Sequence, residues 1–277
     1  MIFQKIPPQW AFRQRLSHTN NVDFMKVTFL GTGTSHGIPV IACGCEVCTS
    51  KDNKDKRSRS AMMFEVDSQA IVIDTGPDFR MQMLRENVKR LDAVLFTHEH
   101  KDHTAGLDDI RAFNMFQKGA IDIYATKHVQ NNLHKCFEYI FSEQRYPGIP
   151  EVKVHTIDNK PFHVGPTEII PIEVLHYKLP VMGFRIRDFV YITDANAIPE
   201  TEREKIKGAK ILVLNALRIS KHIAHFSLDE ALDMAKELHI ETTYFTHISH
   251  QLGKHEVVSK ILPAGVFLAY DGLKFEI

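Results

Sequence analysis

Ala93-Val94-Leu95-Phe96-Thr97-His98-Glu99-His100-Lys101-Asp102-His103 decides how the whole chain is read. Val94 to Phe96 predicts a short buried strand, and four potential metal ligands follow at once: His98, His100, Asp102 and His103. Alternate side chains of a strand share a face, so His98 and His100 could grip one ion. Asp102 and His103 fall where the chain turns toward a helix expected over residues 104–114, within reach of a second, adjacent ion. No packing demand calls for three histidines and an aspartate in six residues, and the cluster reads as a metal site.

The surroundings bound the function. The chain has 277 residues, with 34 basic and 34 acidic side chains and 44% apolar content, enough for a sizeable core. Zero net charge supplies no global field for nucleic acid or an anionic membrane, so an anionic substrate must be held locally. No stretch approaches the roughly 20 apolar residues that cross a bilayer. The N-terminus lacks the apolar run of a signal peptide. Of four cysteines, three crowd into Cys43 to Cys48, which suits a metal in a reducing, cytoplasmic setting better than a disulfide framework.

Upstream of the cluster, residues 1–25 read as an N-terminal extension, either a misassigned start before Met25 or an arm packing on a neighbour. A strand from Met25 leads into Gly31-Thr32-Gly33-Thr34-Ser35, read as a tight turn near the site floor. Cys43-x-Cys45-x-x-Cys48 supplies three thiolates for one Zn²⁺ that needs a fourth ligand from elsewhere. Strands are expected over 61–66 and 70–74 with a hairpin turn formed by Gln69 and its neighbours, then a helix over 79–86. Asp74 could be a ligand or a hydrogen-bond acceptor, and buttressing the 98–103 loop is the expected role. Cys136 is expected to be a core thiol.

Downstream, residues 128–139 read as an amphipathic helix with His128 and His134 on the surface, and 142–150 as a lid. Strands over 168–175, 189–193 and 243–246 end at His176, Asp194 and His247 respectively. Each is a ligand type directly after an apolar β run, where a sheet delivers functional groups. Ser227 and Glu230 form a capping box that opens a helix over 227–238, with His225 on the loop before it. Residues 26–277 are expected to form one domain.

Thr97-His98-x-His100-x-Asp102-His103, with isolated His176, Asp194 and His247, resembles the metallo-β-lactamase superfamily of dinuclear hydrolases. The resemblance implies an α/β four-layer αββα sandwich, two mixed sheets flanked by helices. It implies His98, His100 and His176 on one ion, Asp102, His103 and His247 on the other, and Asp194 bridging. Gly31 to Ser35, the cysteine loop and Thr246-His247-Ile248-Ser249-His250-Gln251 resemble more closely the PhnP-type phosphodiesterases. That likeness implies a structural zinc on Cys43, Cys45, Cys48 and His250, and a catalytic role for His225.

The expected chemistry is hydrolysis of a small phosphodiester by two divalent ions, Mn²⁺ or Zn²⁺, with Asp102 and His225 in the catalytic set. Arg59 and Arg111 are the expected phosphate contacts. The rival readings are an RNA-processing nuclease of the tRNase Z type, a thioester or lactam hydrolase, and a metal-binding module without catalysis. A homodimer is compatible with the sequence.

Overall fold

A computed structural model describes residues 24–143 and 146–277; the N-terminal extension before Phe24 lies outside them. The first half runs β1 (Met25–Gly31), β2 (Ala61–Val66), β3 (Gln69–Ile73), α1 (Phe79–Arg85), β4 (Ala93–Leu95), α2 (Lys101–Thr104), α3 (Arg111–Gln117), β5 (Ile121–Ala125), α4 (Lys127–Cys136), α5 (Glu138–Phe141) and β6 (Val152–Thr156). The second half runs β7 (Phe162–Val164), β8 (Thr167–His176), β9 (Leu179–Ile186), β10 (Phe189–Tyr191), α6 (Glu200–Ile206), β11 (Ile211–Asn215), α7 (Leu228–Glu237), β12 (Thr242–Thr246), α8 (His255–Ser259), β13 (Val266–Leu268) and β14 (Lys274–Glu276).

These strands make two seven-stranded sheets, ordered β14-β1-β2-β3-β4-β5-β6 and β13-β12-β11-β10-β9-β8-β7. Both are mixed. β3 to β6 run parallel beside an antiparallel β14-β1-β2 edge, and β10 to β13 run parallel beside antiparallel β7-β8-β9. Strand alternation explains the layering. Met62, Phe64, Ile71 and Ile73 point inward to meet Phe184, Phe189, Tyr191 and Val213 of the other sheet. Their neighbours Met63 and Val72 point outward against Phe79 of α1, Phe113 of α3, and Val129 and Leu133 of α4. On the other side Leu212 and Leu214 pack with Ile206 of α6 and Leu228, Ala231 and Met234 of α7. Three cores between four layers make the expected αββα sandwich.

Several local expectations change. The first hairpin turns at Asp67 and Ser68, the neighbours of Gln69, which itself opens β3; both adopt positive φ (49° and 62°), the geometry that matches strand twist. The helix expected over 104–114 is broken after Thr104, resumes as a 3₁₀ turn (Leu107–Ile110) and then as α3. The break falls at Gly106, where a Cβ would lie 2.2 Å from the Gly76 carbonyl oxygen, so the backbones dock instead of coiling on. Cys136 is exposed, not a core thiol. α4 ends at that residue, and Ile140 of α5 continues the buried stripe of Val129 and Leu133. In the segment expected to be a lid, Gln144 and Arg145 lie outside the described residues, while Ile149 and Pro150 are buried.

The charged loop over 51–59 hides a polar core. Arg57 is buried and donates to Thr32 Oγ1 (2.8 Å) and the Ala269 carbonyl (2.6 Å), with its other nitrogen 3.2 Å from His255 Nδ1. Burial, and then the Arg57 charge, push the His255 imidazole down to about 4. A histidine whose folded pKa lies below its unfolded value stabilises the fold fully above the unfolded value of 6.5 and loses that contribution as pH falls toward the folded one. The urea midpoint is therefore expected to fall between pH 6.5 and 4, and His255→Gln to flatten that fall. An unaltered pH profile in the variant would place the acid sensitivity elsewhere.

Candidate functional site

The strands that carry the expected ligands point their C-terminal ends to one edge of the sandwich. β8, β10, β11 and β12 share a direction, and β3 and β4 bring Asp74 and the 98–103 loop to meet them. The two sheets are stitched there by Met182 N–H donating to the Thr97 carbonyl at 3.0 Å. Asp74, Asp194 and His247 each follow a strand with φ of 65°, 54° and 53°. The left-handed region is costly for a side chain with a Cβ, about 1 kcal/mol or more apiece, and such strain gathers at functional sites.

β4 stops at Leu95, so His98 and His100 sit on the loop beyond it and not on one face of a strand. The loop still brings them together, with His98 Nε2 3.0 Å from His100 Nδ1. Two nitrogens about 2.05 Å from one ion stand roughly 2.9–3.4 Å apart. The loop is held by Asp74, as the sequence suggested. Its buried carboxylate accepts from Thr97 N (2.9 Å), Thr97 Oγ1 (2.8 Å) and His103 Nδ1 (2.7 Å). Gly76 lets the two segments touch, since a Cβ there would meet the Asp102 carbonyl oxygen at 2.1 Å.

Hydrogen bonding sets the tautomers. Thr97 Oγ1 spends its proton on Asp74, so it accepts from His98 Nδ1 at 2.9 Å. His103 gives its Nδ1 proton to Asp74 and His176 gives its own to the Ala224 carbonyl at 2.8 Å. All three imidazoles thereby turn an Nε2 lone pair to the centre. His103 Nε2 is buried with no hydrogen-bond donor to it, 3.2 Å from Asp102 Oδ2 and 3.3 Å from Asp194 Oδ2. Lone pair facing carboxylate is repulsive without positive charge between them, and a divalent cation supplies it.

The donors group accordingly. His98, His100 and His176 converge, as do His98, His103 and Asp194, and Asp102, Asp194 and His247, each set within 4.8 Å. Asp194 recurs in the last two of these sets and also converges with His176 and His225, so it is the carboxylate common to several donor groups. The electrostatics agree. Without an ion, burial opposes charge on His103, but Asp194, Asp102 and Asp74 outweigh it and raise its pKa well above the ordinary range, so Nε2 draws a proton where a cation would otherwise take its lone pair. Burial likewise opposes Asp102 and Asp194, but His103 beside the first, and His247 and His103 beside the second, keep both carboxyls ionised. The donor set of imidazoles and carboxylates, with His98, His103, Asp194 and His247 buried and His100 exposed, fits divalent ions.

His225 lies over this centre, its ring 4.5 Å from that of His176 and 4.9 Å from that of His247. Its Nδ1 has no hydrogen-bond partner and sits 3.9 Å from Asp194 Oδ1. Burial, and then His247, push it down to about 3, so the ring is neutral at pH 7. The two arginines fare differently. The Arg59 guanidinium is engaged by Asp78 (3.1 Å) and the Ser35 carbonyl (3.0 Å). Arg111 pairs with Asp108 and lines a groove with Asn114, Gly148 and Ile149, none of them a candidate ligand. Neither is brought into the ligand cluster.

Two residues at the site, Asn215 and Glu99, escaped the sequence reading. Asn215 accepts from Ala195 N (2.7 Å) and donates to Ala195 O (2.9 Å), clamping the turn after Asp194. Its signal was the same as for the ligands, a polar residue closing a buried strand. Thr34 lies 3.2 Å from His247 Nε2, so the glycine-threonine turn does reach the site floor. Glu99 meets His128 Nε2 at 2.9 Å, tying a surface histidine to the ligand loop.

The second cluster assembles as expected. His250 Nδ1 stands 3.3, 3.4 and 3.6 Å from the sulfurs of Cys43, Cys45 and Cys48. A tetrahedral Zn²⁺ with ordinary Zn–S and Zn–N bonds sets sulfur and nitrogen about 3.6 Å apart. The Cys48 N–H, then His250, lower the Cys45 thiol to about 6, while burial raises Cys48 to about 11. Val40 N–H donates to Cys48 Sγ at 3.3 Å. The four donors fit one zinc.

Comparison with known proteins places this geometry in a family. Residues 69–248 match the family model described as beta-lactamase superfamily domain. A solved structure of a diphosphatase from the PhnP family is 39% identical, covers 92% of this chain and 97% of its own, and superposes with a TM-score of 0.86. An octanoyltransferase of Porphyromonas gingivalis is 36% identical over 90% of this chain, which spans only 51% of that protein's length. A ribonuclease Z of Staphylococcus epidermidis is 23% identical over 85% of this chain and 92% of its own. Among the described residues no helix is long and apolar enough to cross a membrane. With the sheet order, the ligand loop and these matches in agreement, the chain belongs to the metallo-β-lactamase superfamily, as a PhnP-like member.

Proposed function

We propose that the protein is a metal-dependent phosphoric ester hydrolase acting on a small phosphodiester or diphosphate. The observation that carries this reading is the convergent set of His98, His100, Asp102, His103, His176, Asp194 and His247, with Asp194 shared between donor groups. The similarity to a PhnP-family diphosphatase supports the phosphorus chemistry. When bound, two divalent ions supply an acidified water and positive charge for the phosphoryl oxygens. The water oxygen gives up a proton and bonds to phosphorus as the bond to the leaving oxygen breaks, and that oxygen takes up a proton from solvent.

The chain's own groups orient these events. Asp74, Thr97 and the Ala224 carbonyl lock the imidazoles so that their lone pairs need not reorganise. Asp194 and Asp102 offset part of the positive charge. Because His225 is neutral in the resting site, its role is to donate an N–H hydrogen bond to the leaving oxygen, not to enter as an imidazolium acid. His225→Ala is expected to keep the full metal content and lower kcat by about 10²–10⁴. Turnover at the parent level in that variant would remove His225 from the reaction. Cys43, Cys45, Cys48 and His250 hold a structural zinc in this proposal.

Elemental analysis, run with hydrolysis of bis(p-nitrophenyl) phosphate with and without added Mn²⁺ or Zn²⁺, tests the whole reading. Two or three metals per chain with metal-dependent cleavage is the expected result. Full metal without cleavage of any phosphoester would move the function to the thioester or lactam chemistry. The ribonuclease Z relative keeps an RNA phosphodiester as the second reading. Against it stands the zero net charge, and a salt-sensitive gel shift with RNA would revive it.

A further inference from the structure

Tyr177 and Lys178 form the two-residue turn between β8 and β9, closed by the pair His176 and Leu179. A cleft of about 450 Å³ is lined by His100, His176, Tyr177, Lys178 and Leu179, so the turn shares a wall with two candidate ligands.

The turn is not an ordinary hairpin tip. Tyr177 holds φ at 57°, a conformation that asparagine or glycine adopts at lower cost, and half of its surface is exposed. Its backbone N–H is held by Asn196 Oδ1 at 2.5 Å, and Asn196 N–H donates to the Leu175 carbonyl at 2.8 Å. Asn196 lies two residues past Asp194, so the turn is anchored to the loop that carries the shared carboxylate. Lys178 has no carboxylate partner among the described residues, and its Nζ stands 5.3 Å from the centroid of the Tyr177 ring. A strained, half-exposed aromatic side chain beside a cation with no carboxylate partner contributes little to folding, and both line the cleft at the mouth of the site.

We propose that Tyr177 and Lys178 are the specificity-determining pair of this hydrolase, and that they select a nucleotide-type substrate. Tyr177 stacks on a flat base beyond the reacting phosphorus, and Lys178 pairs with a second phosphate next to it. The inference rests on the phosphoester reading above and narrows its substrate class. Asn196 is a positioning residue for the turn.

The test compares diadenosine diphosphate with methyl p-nitrophenyl phosphate, which has no base and no second phosphate. Tyr177→Asn removes the ring while suiting the left-handed backbone, and is expected to lower the ratio of kcat/KM for the two substrates about tenfold. Tyr177→Phe should keep the ratio. Lys178→Gln should lower it through KM, not kcat. Calorimetric binding of AMP should weaken in parallel, about tenfold in Tyr177→Asn. Unchanged ratios in Tyr177→Asn and Lys178→Gln, with unchanged AMP affinity in Tyr177→Asn, would overturn the pair's role. Failure of the metal-loaded parent protein to cleave either compound would instead overturn the phosphoester reading beneath it, and needs no variant to be seen.

Discussion

Asp194→Asn is expected to cost at least one metal ion per chain and to lower turnover by more than about 100-fold, the level that changes to outer partners alone can reach. The carboxylate sits at the meeting point of the site. Its Oδ2 is 3.3 Å from His103 Nε2 and 3.2 Å from His247 Nδ1, and Thr193 Oγ1 donates to it at 2.6 Å. An amide of the same shape keeps one acceptor oxygen and replaces the other by an NH₂ group. That group cannot serve a cation, and the imidazoles of His98, His103 and His247 are left with Asp102 as the one remaining carboxylate of the converging donor sets. The backbone at Asp194 is left-handed, a conformation asparagine tolerates well, so the loss would not come from misfolding of the turn. Elemental analysis beside turnover reads both effects. A full metal complement with near-parent activity would take Asp194 out of the shared position.

Cys45→Ser should remove one zinc per chain and destabilise the fold by on the order of 4 kcal/mol, since a structural metal contributes folding energy directly. For a chain of this size that is roughly 10 °C in melting temperature. Cys45 is the right position to change because its thiol, lowered to about 6 by the Cys48 N–H and by His250, is ionised at neutral pH and ready to ligate. Serine keeps the size and loses the thiolate. The metals of the larger cluster should remain. Ile248, between His247 and His250, donates its N–H to the Thr32 carbonyl at 2.9 Å and accepts from Thr34 N at 3.1 Å, which pins the strand end independently of the cysteine loop. A zinc count unchanged by the substitution would refute the structural site. Loss of all metals would show that the two centres are held together more tightly than these bonds require.

The two clusters were legible in the sequence to very different degrees. The 98–103 ligands are adjacent in the chain, and spacing alone made them visible. His176, Asp194 and His247 were visible as ligand types that close apolar strands, but Asn215 closes β11 in the same way and serves the backbone of Ala195 instead. Local sequence marks a strand end. It does not say whether the side chain there faces an ion or a peptide group. Short elements were also missed, β7 and α6 among them, because three and seven residues carry too little periodicity to stand out.

Charged residues were the least legible. Arg57 looked like part of a solvated loop and is buried on Thr32 and Ala269, while Arg59, two residues on, looked available for substrate and is committed to Asp78. Cys136 looked buried and is exposed, because α4 ends where the apolar stripe passes to Ile140. A charge or a thiol is placed by partners far off in sequence, and no local pattern encodes them.

By itself the sequence marked most of the strands and the candidate ligands, since strand alternation and ligand spacing are properties of neighbouring residues, and its family resemblance implied the class of fold. Only the tertiary structure decided which donors share a centre, which nitrogens carry protons, and what lines the mouth. Those depend on two sheets and their strand ends meeting at one edge, where Asp74, Ala224 and Asn196 reach side chains and turns distant in the chain.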